Sequence, residues 1–180
     1  MKAKIGINGL GRIGRMVLRS IFEEKHKGLK VNHINNRADI KTACDLIKRD
    51  SIHGRFRAKI SIEKNKLIIN GNKITYSQEN NLSNISWKKY NVDVVFECTG
   101  KFNSKDKLIS HIKNGAKKVI VSAPCKNADK TIVYGINHKN ISKEDKIISA
   151  ASCTTNCLAP VVYVLNNNFG IEKGFMTTIH

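Results

Sequence analysis

Apolar and polar positions change period several times along the chain, and each change marks an element. Residues 4–8 alternate as a half-buried strand does, and Met16, Val17, Ser20 and Ile21 then open a helical face over 12–24. Short apolar runs at 29–35, 92–97, 118–121, 131–136 and 146–150 read as strands, with helices at 39–48 and 104–114 among them. Three further runs, 57–63, 66–69 and 73–76, read as a β-meander whose last turn carries the Asn70-Gly71 signal. Leu158, Val161, Val162 and Leu165 recur at i, i+3, i+4 and i+7, so a helix follows Cys153. Pro160 should kink that helix or mark a short first turn. Residues 174–179 are strand-like again and lead into His180. Strands alternating with helices predict an α/β class with a doubly wound, mostly parallel sheet that takes its ligand at the carboxyl ends of the strands.

The turn after the first strand reads Gly9-Leu10-Gly11-Arg12-Ile13-Gly14. In a dinucleotide fingerprint the first glycine makes the tight turn and the second lets backbone approach a pyrophosphate. The third packs helix on strand, and the phosphates rest on the helix N-terminus. A lone pattern of this kind is often a mere loop; strand–turn–helix context makes it a stronger signal and the sheet Rossmann-type. About 20 residues on, an acidic side chain ordinarily receives the adenosine ribose. Here 36 − 14 = 22 brings that position to Asn36, which is neutral, beside Arg37, whose planar cation suits phosphate. The bland alternative leaves Arg37 in solvent and Asn36 on the ribose. NAD is the expected cofactor, with weakened discrimination against NADP.

A second chemical centre lies at Ser152-Cys153-Thr154-Thr155-Asn156-Cys157, between a strand and a helix. Unpaired N–H groups and the positive helix end beside Cys153 favour thiolate, the form that attacks carbonyl carbon. His180 is a candidate base and acid for it. A free cysteine near a helix start is more often a small buried hydrophobe. Metal is set aside, because no second Cys/His pair stands at zinc spacing.

These strings resemble the phosphorylating glyceraldehyde-3-phosphate dehydrogenase family. The run from Ser152 to Cys157, continued by Leu158-Ala159-Pro160, is similar to its active-site signature, and residues 6–15 are similar to its opening. Cys98-Thr99-Gly100 after Glu97, Ser122-Ala123-Pro124 and the Asp50-Ser51-Ile52-His53-Gly54 loop match as well, so the resemblance covers essentially the whole chain. It implies a Rossmann domain over 1–150 and the first helix and strand of an α+β catalytic domain over 151–180, in an enzyme roughly twice as long. It implies Cys153 as nucleophile, His180 as its ion-pair partner and base, and Ser152 and Thr154 near phosphate sites, although capping the helix is an equally good reading of either hydroxyl. Asn8, Gly9, Gly11, Arg12, Ile13, Gly14, Asn36 and Arg37 are assigned to the cofactor, with Thr99, Gly100 and Ser122 on its ribose and nicotinamide side. The implied reaction converts glyceraldehyde 3-phosphate and inorganic phosphate to 1,3-bisphosphoglycerate in glycolysis, through a cysteine thiohemiacetal and thioester, in a homotetramer; 180 residues alone are expected to be inactive.

Two positions depart from the family pattern: Asn36 stands where Asp is usual, and Asn80 where an adenosine-contacting Arg often stands. Erythrose-4-phosphate dehydrogenase shares the motifs and is the nearest rival. An aldehyde dehydrogenase of acyl phosphates is disfavoured by the Thr-Thr-Asn-Cys run, and a non-catalytic nucleotide- or RNA-binding module by Cys153 together with His180. Cys157 is expected to be structural and to face the core, and His53 and His111 to be ordinary loop or surface histidines.

Composition changes this picture little. A net charge of +18 invites nucleic acid, but the lysines are scattered over every element without an aromatic-interleaved stripe. They read as solvated surface that helps attract anionic ligands, with any RNA binding adventitious and salt-sensitive. Five cysteines without scaffold spacing read as reduced thiols of a cytoplasmic enzyme. No apolar run approaches the ~20 residues that span a bilayer, and Met1 to Lys4 leads straight into the first strand, leaving no room for a signal peptide.

Overall fold

The computed structural model describes residues 2–24 and 26–179. Strand β1 (Ala3–Asn8) runs through the glycine turn into helix α1 (Arg12–Glu23), followed by β2 (Leu29–Asn35) and α2 (Ile40–Lys48). Asp39 caps α2, accepting from the N–H groups of Lys41 and Thr42, which satisfies donors a helix start leaves open. A small hairpin, β3 (Arg49–Asp50) with β4 (Gly54–Arg55), holds the Asp-Ser-x-His-Gly loop. The meander follows as β5 (Ile60–Glu63), β6 (Lys66–Ile69) and β7 (Asn72–Ser77). Then come β8 (Val94–Glu97), α3 (Lys105–Lys113), β9 (Lys118–Val121), β10 (Lys130–Thr131), β11 (Ile147–Ser149) and α4 (Cys153–Phe169).

One sheet carries nine of these strands in the order β10-β11-β9-β8-β1-β2-β7-β6-β5. From β10 to β7 every pairing is parallel, and only β7 with β6 and β6 with β5 are antiparallel. The meander joins the main sheet, because β7 pairs parallel with β2.

Two cores lie on the two faces. Ile5 and Ile7 of β1 point to the side of Leu18, Ile34, Ile47 and Ile74, and Val95, Val119, Leu108 and Trp87 make up the other. Each fully buried aliphatic chain contributes about 1.5–3 kcal/mol of transfer free energy. Between Ile5 and Ile7, Gly6 faces the opposite side, where a Cβ would stand 2.6 Å from the Trp87 ring. Only hydrogen at that position lets the indole come this close to the strand.

Four expectations are corrected. The strand expected over 131–136 is limited to β10, because the chain then turns through Gly135, whose φ is +88°. Residues 174–179 form no strand; no neighbour among the described residues offers them a ladder. Pro160 does not confine α4 to a short first turn: the helix continues unbroken to Phe169. His111 is no surface residue, as its buried partners below make plain.

Candidate functional site

Parallel pairing brings the carboxyl ends of β2, β1, β8, β9 and β11 to one edge. After β1 the chain builds β2 and the meander on one side, then returns to place β8 on the other, so a crevice opens between the loops that leave β1 and β8. A cleft of about 420 Å³ lies there, with Gly9 and Gly11 on one lip, Thr99 and Lys101 on the other, and Asn36 and Arg37 at the end of β2. Gly9 has φ +92°, and a Cβ on it would meet Thr99 at 2.8 Å. A Cβ on Gly14 would lie 1.9 Å from the Gly9 carbonyl oxygen, so the turn closes on the helix with no room for a methyl. Gly11 differs: nothing lies within 4 Å of where its Cβ would be, and no side chain caps α1. Open space over bare backbone at an uncapped helix start suits a pyrophosphate.

Beneath the cleft runs a buried polar framework. Glu97, 1% exposed, accepts from Asn8 Nδ2 at 2.6 Å and from the Thr99 N–H at 2.8 Å, and also takes the Thr99 hydroxyl. Asn8 Oδ1 accepts from Asn35 Nδ2 at 2.8 Å, and the Asn35 amide grips both backbone groups of Glu79. His111 Nε2 lies 3.0 Å from Glu97 Oε2, and Trp87 Nε1 donates to His111 Nδ1 at 2.8 Å. Indole is a donor only, so Nδ1 must accept and the imidazole proton sits on Nε2, donated to Glu97. A histidine on a short, lysine-rich helix reads as surface, and His111 departs from that. Its 0% exposure is set by α3 packing against the segment that carries Trp87.

Asn36 is half-committed to the protein itself. Its Oδ1 accepts from the Leu10 N–H at 3.0 Å, tying the glycine turn to the end of β2, and its Nδ2 donates to the Tyr76 hydroxyl at 3.1 Å. Arg37 is exposed along the cleft wall.

Further along the edge, Ser149 ends β11 and Cys153 begins α4. Ala151 between them has φ +61°, a strained value for a residue with a Cβ. Ser149 Oγ accepts its N–H at 3.1 Å, while Asn156 Nδ2 donates to the Ala150 and Ser152 carbonyls at 2.8 and 2.9 Å. Ser152 is the N-cap, accepting from Thr155 N–H at 3.0 Å. Cys153 is exposed in the first turn and Thr154 is half-buried. His180 lies outside the described residues. Cys157 is exposed rather than facing the core, because α4 buries no residue. The other thiols differ: burial pushes Cys98 up to about 11 and raises Cys44 and Cys125.

Of the residues assigned to the cofactor, Asn8, Gly9, Gly11, Asn36, Arg37 and Thr99 line the cleft. Arg12, Ile13 and Gly100 are exposed beside it, Gly14 is buried beneath the turn, and Ser122 sits one strand further on with its N–H on the Glu97 carbonyl at 3.0 Å. Sequence reasoning missed Asn35, Glu79, Lys101 and Phe102, which also line it. Only Asn35 had a signal, as the polar end of a buried strand. Among the described residues no Cys, His, Asp and Glu group could hold a metal ion, and no helix is long and apolar enough to cross a membrane.

Comparison with known proteins agrees with this geometry. A family model described as glyceraldehyde 3-phosphate dehydrogenase, NAD binding domain, matches residues 3–105, and one described as its C-terminal domain matches 152–180. Glyceraldehyde-3-phosphate dehydrogenase of Zymomonas mobilis is 46% identical over 181 residues, covering 100% of the chain and 54% of that protein. Glyceraldehyde-3-phosphate dehydrogenase 2 of Bacillus subtilis is 49% identical over 181 residues, covering 100% of the chain and 53% of that protein. The Mycoplasma pneumoniae protein of the former name is 46% identical over 178 residues, covering 98% of the chain and 52% of its own length. The chain spans about half the length of the curated relatives it matches.

Proposed function

The chain belongs to the glyceraldehyde-3-phosphate dehydrogenase family, and on that premise we propose that it carries the NAD site and attacking thiol of an enzyme oxidising glyceraldehyde 3-phosphate to 1,3-bisphosphoglycerate. The observation that carries this reading is the shared sheet edge. Asn36 and Cys153 stand at opposite ends of the run β2, β1, β8, β9, β11, with the glycine turn between them. At about 4.8 Å per strand, the ends of β2 and β9, which lead to Asn36 and Ser122, stand about 14 Å apart. The adenosine end then lies at Asn36 and Arg37, the pyrophosphate at Gly11 and the first turn of α1, and the nicotinamide side at Thr99 and Ser122.

Cys153 attacks the aldehyde carbon as thiolate and forms a thiohemiacetal. When bound, the nicotinamide ring supplies the hydride acceptor for oxidation to the thioester. Inorganic phosphate then cleaves that thioester and frees the thiolate. His180 pairs with Cys153 and takes the hydroxyl proton. Thr154 offers a hydroxyl to phosphate, and Ser152 holds the helix start that presents the thiol. The division into 1–150 and 151–180, a cytoplasmic homotetramer and a role in glycolysis belong to the same proposal, as does the lack of turnover by 180 residues alone.

Brief alkylation near neutral pH followed by peptide mapping tests the assignment. Cys153 should label first, since Cys44 and Cys98 are buried with raised thiol pKa values. In a protein carrying the complete catalytic half, Cys153→Ser should abolish phosphate-dependent NAD reduction. Preferential labelling of Cys98 or Cys157, or activity surviving in Cys153→Ser, would sink the assignment. Comparing glyceraldehyde 3-phosphate with erythrose 4-phosphate in that protein separates the two sugar phosphates.

A further inference from the structure

We propose that Glu97 is the positioning group of the dinucleotide cleft, held in place by His111 and through it by Trp87. This rests on the cofactor reading above and concerns residues that touch no ligand. The cleft has two lips, the glycine turn after β1 and the Thr99-Gly100-Lys101 turn after β8, and they come from strands with no covalent link nearby. One carboxylate joins them. Its Oε2 takes Asn8 Nδ2 at 2.6 Å from the first lip, and its Oε1 takes the Thr99 N–H at 2.8 Å from the second. The lips also touch directly, since a Cβ on Gly9 would meet Thr99 at 2.8 Å. A small rotation of Glu97 would therefore move both walls together.

What stops that rotation lies behind the sheet edge. Glu97, His111 and Trp87 are 1%, 0% and 0% exposed, so water cannot substitute for any member. The order of donors is forced: indole N–H to Nδ1 at 2.8 Å, then Nε2–H to Oε2 at 3.0 Å. Both carboxyl oxygens are engaged as acceptors, Oε1 by Thr99 and Oε2 by Asn8 and His111. Removing the imidazole leaves an indole N–H unpaired and frees the carboxylate to turn, both in a site where unmade hydrogen bonds are costly. Trp87 is also the only tryptophan of the chain, so its indole N–H is a single reporter at the far end of this line.

The test measures NAD affinity by calorimetry on the 180-residue chain, together with the indole N–H resonance. His111→Phe and Glu97→Gln should weaken NAD binding by about tenfold or more, the size expected from an unpaired buried polar group. His111→Gln, which again offers an acceptor to indole and a donor to the carboxylate, should recover most of that loss. Leu108→Ala, on the same helix and in the same core, should lower the melting midpoint yet leave NAD affinity within about twofold, because it breaks packing and not this line. In the unsubstituted chain the indole resonance should shift on adding NAD. If His111→Phe binds NAD as the parent does, if Leu108→Ala weakens it equally, or if the indole signal stays still, the positioning role is wrong. Should His111→Phe fail to fold, Glu97→Gln against His111→Gln decides. No NAD uptake by the unsubstituted chain overturns the cofactor reading itself, and the proposal with it; normal uptake with indifferent variants overturns the positioning role alone.

Discussion

Helices α1 and α4 follow strands on the same edge of one sheet, and both begin at a residue placed in the chemistry, yet they live in different surroundings. Helix α1 buries Leu18 and Ile21, together with Gly14 at its start. Helix α4 buries nothing: Val161, Val164 and Leu165 are 53%, 56% and 44% exposed, and Phe169 83%. Its apolar residues run from Val161 to Leu165 without a break, the composition of a helix meant to be enclosed on all sides. The dinucleotide cleft is therefore over-determined by its own half of the molecule, while the thiol stands at a seam whose far side the described residues do not cover. The proposed cofactor and thiol sites are in this sense separable, and substitutions on the two sides should behave differently.

The largest effect belongs to the packed side. Gly14→Ala sets a methyl 1.9 Å from the Gly9 carbonyl oxygen, backbone that cannot step aside. A loss of about 3 kcal/mol or more in a urea melt is expected, with NAD affinity down at least about a hundredfold. A Gly14→Ala chain that melts and binds like its parent would mean that the turn is looser than described.

Next comes a dependence on pH. Burial first, and the nearby Lys89 second, lower His33 to about 3. It stacks on Tyr90 at 3.6 Å and stands edge-on to Trp87. The unfolded chain takes up this proton near pH 6.5 and the folded one does not, so the contribution is complete above pH 6.5. It drains as pH falls toward 3, by up to about 1.4 kcal/mol per pH unit. Urea midpoints between pH 6.5 and 5 read it above the range of the lowered carboxylates, such as Asp129 at about 2, and the His33 variant separates it from the other histidines. His33→Gln should flatten that interval; an unchanged slope assigns it to another group.

Asn36→Asp sharpens the comparison at the rim of the cleft. The new carboxylate can keep the bond from Leu10 N–H and adds a charge that repels a 2′-phosphate. The ratio of NAD to NADP affinity should rise about ten- to a hundredfold, corresponding to roughly 1–3 kcal/mol. A constant ratio would show that charge at this position does not choose the cofactor.

The smallest effect is expected where the sequence looks most like core. Val164→Ser and Phe169→Ser in the 180-residue chain should change stability by no more than about 0.5 kcal/mol, because neither side chain is covered. The same changes should reduce light scattering, since a patch of this kind drives self-association. A loss well beyond that in a melt would show that α4 is packed after all.

Sequence alone determined the order and type of nearly every element and most of the cleft. Those rest on local rules: the period of apolar residues, the geometry demanded of Gly9 and Gly14, and the capping chemistry of Ser152. Within this turn the tight approaches at Gly9 and Gly14 were legible because each is set by backbone a few atoms away. What tertiary structure decided are quantities that depend on residues far apart in the chain. His111 became part of a buried line only because α3 meets Trp87, and Asn35 reached Glu79 only because β7 pairs beside β2. Asn36 turned its oxygen to Leu10 through a bond spanning 26 positions. Cys157 and the apolar side chains of α4 mark the same limit from the other direction: periodicity announces a face, but burial is a property of whatever lies across from it.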